Sequence, residues 1–244
     1  MGEINLNAEV LASVTIFSVL LLFFLFYYTA NSKLLMNHLI RPLFPSASGE
    51  SIEFISEKLT GILFTGLIPF TVFILILNIP PSRTGLIIGR TFQLWYLVII
   101  LVLITALASF VSSRSRKVQE RSPELKTENW HPRHLLLSVS AWLCYLIGYE
   151  FFFRGVLWFI CIEAFGFWPA LIINLILYSL VHIPKGKLMT IGAIPFGVIL
   201  CLLSQLTGSF IPAFMIHATM AIMTEISAAY NKPGIHFHIK RIAQ

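Results

Sequence analysis

The sequence contains no aspartate: its eleven acidic residues are all glutamates, and charged residues of either sign make up only 11% of the 244 positions. A soluble domain carries about a quarter of its residues as charges, so this scarcity excludes a water-soluble globule and, with it, a disordered chain. Cysteine is equally sparse. Cys144, Cys161 and Cys201 all lie within apolar stretches, which excludes a disulfide framework and leaves them as small buried hydrophobes. The zinc-protease pattern His-Glu-x-x-His is missing as well. What fills the chain is apolar surface, 57% of residues, with a mean hydropathy of +0.84.

A helix needs roughly 20 apolar residues to cross about 30 Å of hydrocarbon. Segments 10–30, 59–79 and 91–111 meet that length without a Lys, Arg or Glu. A longer run at 135–165 carries Glu150, Arg154 and Glu163, and 168–182, 188–206 and 209–229 follow. The expected fold class is therefore all-α, a polytopic membrane helix bundle of about seven transmembrane helices. The run from Leu135 exceeds a simple crossing, so it is expected to tilt or to break at Gly148 or Gly155. Three regions are expected: 1–134 with the first three spans, a core at 135–229, and a tail at 230–244.

The seventeen basic residues orient the bundle, because Lys and Arg collect in cytoplasmic loops. Fourteen fall on one side of this arrangement: Lys33, Arg41 and Lys58; Arg114, Arg116, Lys117, Arg121, Lys126 and Arg133; Lys185 and Lys187; Lys232, Lys240 and Arg241. Arg83 and Arg90 fall on the other, and Arg154 lies within a span. The expectation is N-terminus out and C-terminus in. Glu3 and Glu9 precede the first basic residue, Lys33, the reverse of a cleavable signal, so the first span is expected to be retained. Topology accounts for the basic total, and nucleic acid is not an expected partner; membrane lipid is. The 112–134 stretch reads as a solvated loop able to touch anionic lipid, and the segment around Arg41 and Phe44 as an interfacial one.

Ionisable side chains at membrane depth cost at least ~2.5 kcal/mol each, so they mark functional sites by default. Glu150 and Arg154 stand four apart on one helix face, where they can pair; an intrahelical ion pair and a catalytic carboxylate are both open readings. Asn174, Tyr178 and His182 recur every fourth residue and draw one polar stripe. His217 lies eight residues past Ser209, about 12 Å into the last span at ~1.5 Å per residue. Two histidines from different spans and a carboxylate favour one shared site. Glu163 and Glu225 fall near span ends, where interfacial solvation is expected, and His236-Phe237-His238 reads as an incidental pair of tail histidines.

The strings Tyr149-Glu150-Phe-Phe-Phe-Arg154-Gly155, Tyr178-Ser-Leu-Val-His182 and Thr207-Gly208-Ser209-Phe-Ile-Pro212-Ala-Phe-Met-Ile-His217-Ala218 together resemble the CPBP family. These are the CAAX-protease and bacteriocin-processing intramembrane proteins, which include the type II CAAX prenyl proteases. The resemblance implies a glutamic-type intramembrane endopeptidase whose first motif is two adjacent glutamates, three residues and an arginine. An aromatic residue, three residues and a histidine follow, then a histidine, three residues and an asparagine. In that scheme the first glutamate and the second-motif histidine activate water, and the third-motif histidine and asparagine stabilise the oxyanion.

Two motif positions differ here. Tyr149 replaces the first glutamate, and a phenol with a reference pKa near 10 is a poor base at neutral pH. Ala221 replaces the asparagine and donates nothing. The remaining candidates are Glu150, His182 and His217 as catalytic residues, with Arg154, Tyr178 and Asn174 as structural or orienting ones. Glu150 is turned by ~100° from its neighbour on a regular helix, so its carboxylate is expected to point elsewhere unless the helix changes there. The readings left open are a peptidase cleaving a peptide or CAAX-like substrate, and an impaired homologue that binds a peptide or membrane-protein partner. A zinc site using both histidines and Glu150 and a proton path are further alternatives; no other cofactor is implied. The expected location is the plasma membrane of a bacterium.

Overall fold

The computed structural model describes residues 7–45, 48–89 and 92–238. Glu3, Arg90, Lys240 and Arg241 from the charge pattern, and the expected start of the third span at Thr91, lie outside the described residues. The chain is helical nearly throughout. α1 (Ala8–Ala30) is followed by a short broken helix α2 (33–43) and then α3, which starts as Gly49–Gly61 and runs on through π-helical turns to Ile76. α4 (Trp95–Ser112), α5 (Pro132–Phe165), α6 (Phe167–Leu180), α7 (Lys187–Thr207) and α8 (Ile211–Asn231) complete the bundle. A two-residue parallel ladder joins β1 (Asn129–Trp130) to β2 (His236–Phe237).

Six of these helices are long and apolar enough to cross a membrane, and α6, with 14 residues, is shorter than that. Contacts between loops sort the helix ends onto two opposite faces. On one, Lys58 pairs with Glu124, Arg121 donates to the Lys185 carbonyl, Gln119 reaches the Asn231 carbonyl, and β1 meets β2. On the other, Arg83 grips Glu163, and Ser209 donates to the Ile87 carbonyl. Glu163 precedes α6 and Lys185 follows it, so α6 also runs from face to face, over about 21 Å at ~1.5 Å per residue. The chain is a multi-pass membrane protein, and Lys58, Arg121, Lys126 and Lys185 meet at one of these faces.

The long run is one continuous helix, unbroken at Gly148 and Gly155. At both positions glycine serves close approach instead. A Cβ on Gly148 would stand 2.7 Å from Gly66 Cα, and one on Gly155 would stand 2.6 Å from the Thr84 carbonyl oxygen. Small residues let membrane helices cross at backbone contact, and here they bring α3 and the following loop against α5. The core lies around the middle of α5, where Phe152, Phe153, Val156, Leu157 and Trp158 are fully buried. α4 is the most peripheral span: it packs chiefly on α8 and turns Trp95, Ile99, Leu103 and Leu107 outward. In α2, Leu34, Leu39 and Leu43 are exposed beside Lys33 and Arg41, a composition suited to the membrane interface.

Two expectations about the charged loops need correction. Lys58 is not a loop residue: it sits inside α3, 1% exposed, over the Trp142 ring at 3.6 Å. The 112–134 stretch is not simply solvated, because Leu125 and Trp130 are buried in the bundle's end.

Candidate active site

The site begins with a change of helix type. α5 is α-helical through Glu150 and π-helical over Phe151–Leu157, a local widening that recurs at functional sites. Asn174 on α6 donates from Nδ2 to the Phe153 carbonyl at 2.8 Å, and Cys201 on α7 donates from Sγ to Asn174 Oδ1 at 3.3 Å. Asn174 therefore ties the widened turn to two neighbouring helices.

Glu150 is completely buried, and its two oxygens face different partners. Oε1 lies 2.5 Å from His217 Nδ1 on α8, and Oε2 lies 3.4 Å from Arg154 Nη1. The expectation that its carboxylate would point away from the histidines is thus corrected: at the α-to-π junction it reaches one of them. Arg154, also completely buried, lies over the Tyr178 ring at 4.0 Å. Stacking on an aromatic face and pairing with a carboxylate are the two ways a guanidinium is held out of water.

His182 is half-buried at the end of α6. Its Nδ1 lies 2.7 Å from the Tyr178 carbonyl, and its ring lies 4.6 Å from the Tyr178 ring. The Tyr178 ring in turn lies 6.4 Å from that of His217. The two histidines therefore flank Tyr178, and among the described residues no hydrogen bond joins His182 to Glu150 or to His217. A backbone carbonyl only accepts, so His182 carries a proton on Nδ1 and keeps Nε2 as its basic nitrogen.

Tyr149 turns into an aromatic cluster. It stacks on Phe153 at 4.8 Å and meets Phe23, Tyr145, Tyr178 and His217. Its hydroxyl is buried without a hydrogen-bond partner among the described residues. Ala221, half-buried, packs at the edge of the same core.

Among the described residues, no group of three or more His, Cys or Glu stands close enough to hold a metal. The Arg154 charge beside Glu150 works against a cation at that carboxylate. Of the peripheral candidates, Glu163 is half-exposed in a bidentate pair with Arg83 at 2.6 and 2.9 Å. Glu225, expected at a solvated interface, is instead buried and accepts the Glu124 and Leu125 backbone N–H groups at 2.7 and 2.9 Å. His236 lies in β2, and His238 bonds Asn129 Oδ1 through Nε2 at 2.8 Å. Lys58 and Glu124 were missed by sequence reasoning. The one available signal was a lysine beside a glutamate, Glu57-Lys58, at the edge of an apolar run.

No curated protein and no solved structure matches the chain. A family model does: the one described as type II CAAX prenyl endopeptidase Rce1-like matches residues 131–223, the stretch that holds Tyr149, Glu150, Arg154, Tyr178, His182 and His217.

Proposed function

We propose that this CAAX-protease-like membrane protein is an intramembrane endopeptidase acting on a peptide or CAAX-like substrate, with Glu150 working through His217. The observation that carries the reading is the Glu150–His217 contact. A buried carboxylate behind Nδ1 fixes the imidazole tautomer and stabilises the imidazolium formed when Nε2 takes a proton from water. In this scheme His217 is the base that the missing first glutamate would have been, and Glu150 orients it. Arg154, seated on the Tyr178 ring, keeps Glu150 aligned, and Asn174 supports the turn. His182 Nε2 is a second acceptor for the attacking water. With Ala221 unable to donate, the unpartnered Tyr149 hydroxyl is the donor available to a developing oxyanion, where one such donor can contribute ~3 to 4 kcal/mol.

A second reading is favoured by the same two substitutions and by the full burial of Glu150: a non-catalytic homologue that holds a peptide or a partner helix. The proposed setting is a bacterial plasma membrane, with the Lys58–Lys185 face cytoplasmic, the N-terminus out and the C-terminus in; residues 1–134, 135–229 and 230–244 form the accessory spans, core and tail. Purified protein in lipid is assayed with quenched peptides, with and without a prenyl group. Turnover that falls at least ~10²-fold in both Glu150→Gln and His217→Ala supports the peptidase. Absence of turnover, together with saturable peptide binding, supports the second reading.

A further inference from the structure

A second cluster of charges, built on the buried Lys58 and the half-buried Glu57, Glu124 and Lys185, lies at the Lys58–Lys185 end of the bundle, outside the site just described. Glu124 Oε2 accepts from Lys58 Nζ at 2.6 Å, and Glu124 Oε1 faces Lys185 Nζ at 3.7 Å. Glu57 Oε1 adds contacts of 3.3 Å to Lys58 and 3.8 Å to Lys185. Arg121 Nη1 donates to the Lys185 carbonyl at 2.6 Å. The same turn is held from the other side by Glu225, whose two oxygens take the Glu124 and Leu125 N–H groups. Leu125 itself is fully buried.

These contacts reach both site histidines. Lys185 closes a single 3₁₀ turn with His182: its N–H donates to the His182 carbonyl at 3.0 Å, and Pro184 stiffens the two residues between. Glu225 lies on α8 eight residues past His217, about 12 Å along the axis at ~1.5 Å per residue. A turn of four or five residues is thus bonded to the loop of one histidine and to the helix of the other, although neither histidine touches its counterpart directly.

We propose that the 121–125 turn is a strap that sets the spacing of His182 and His217, with Glu124 and Glu225 as its positioning residues. Glu124 holds the His182 loop through Lys185, and Glu225 holds the helix of His217 through the backbone of the same turn. The charges suit a permanent tie. Burial pushes the Glu124 carboxyl up, but Lys58, Lys185 and Lys126 more than offset this and leave it at about 2. Burial lowers Lys185, and Glu124 and Glu57 raise it above its ordinary value. The strap rests on the proposed site for its purpose, but its geometry can be tested without turnover.

The test is a spin-label distance measurement in lipid between Ile183→Cys and Met215→Cys, in a Cys144→Ser background so that the exposed native thiol is removed. Glu124→Gln and Lys185→Met are compared singly and together. The expected result is one narrow distribution for the parent, at least a doubling of its width in either single variant, and no further broadening in the double. Lys185 is partly exposed, so Lys185→Met carries the test even where Glu124→Gln fails to fold. Unchanged widths, or broadening that adds in the double variant, overturn the strap. A narrow parent distribution that broadens as expected, in a protein inert toward peptides, keeps the strap and rejects the peptidase. Intact turnover with unchanged widths does the reverse.

Discussion

Replacing Glu150 by glutamine leaves Arg154 completely buried with no counter-charge while keeping the shape of the side chain. The Glu150–Arg154 separation of 3.4 Å corresponds to an attraction of about 5 kcal/mol at an effective dielectric near 20. Burial of both ions offsets much of that gain in the intact pair, so the pair itself contributes little net stability. Removing one partner exposes the full imbalance, and Glu150→Gln is expected to destabilise the bundle by about 3–5 kcal/mol. Arg154→Met is expected to cost less, because His217 remains beside Glu150 as its hydrogen-bond partner. The double variant Glu150→Gln/Arg154→Met is expected to be much less destabilised than the sum of the singles, with a coupling of at least about 2 kcal/mol. Reversible unfolding in lipid or mild detergent by steric trapping measures all four corners. Additivity within ~0.5 kcal/mol would refute the claim that these charges stabilise one another.

Tyr149→Phe removes a buried hydroxyl that has no partner, so stability is expected to hold or rise by about 1 kcal/mol; if the oxyanion assignment is right, turnover falls nonetheless, and parallel unfolding and peptide-cleavage assays separate the two effects. Gly148→Ala forces a methyl to 2.7 Å from Gly66 Cα and is expected to cost about 1–3 kcal/mol. Gly192→Ala, which meets nothing within 4 Å, is the control on the same unfolding assay. Asn174→Ala frees the Phe153 carbonyl and is expected to destabilise by about 1–3 kcal/mol, while Asn174→Asp should not restore the donor. Glu124 has a folded pKa of about 2, below its unfolded value of about 4.3. Its stabilisation is therefore complete above roughly pH 5 and disappears as pH falls toward 2, so wild type and Glu124→Gln should converge in unfolding midpoint only in acid.

Much of the bundle was legible because hydropathy along a membrane chain reports a local property. Runs such as 10–30 and 188–206 declare themselves, and a buried Glu150 or His217 stands out against an aliphatic background. The loop contacts bring Lys58, Arg121, Lys126 and Lys185 together at one end of the bundle. Pairing was not legible. Glu150 meets His217 across 67 positions, Lys58 meets Glu124 across 66, and Glu225 meets Leu125 across 100. Periodicity carries no signal for such partners. A regular ~100° step does not describe the rotation of Glu150, because the three consecutive phenylalanines and Gly155 that follow it lie in a π-helical turn. Lys58 was misplaced because a lysine at the edge of an apolar run reads as the end of a span. Here its charge is matched by Glu124 and by the Trp142 ring, and the helix simply continues.

The most direct test of the central claim, that Glu150 acts through His217, is the pH dependence of cleavage of a quenched prenylated peptide by reconstituted wild type, Glu150→Gln and His217→Ala. Wild-type turnover that rises with pH is expected, with a loss of at least ~10²-fold in each variant. Wild-type protein that cleaves nothing, but gains activity when Tyr149→Glu and Ala221→Asn are introduced together, would contradict it.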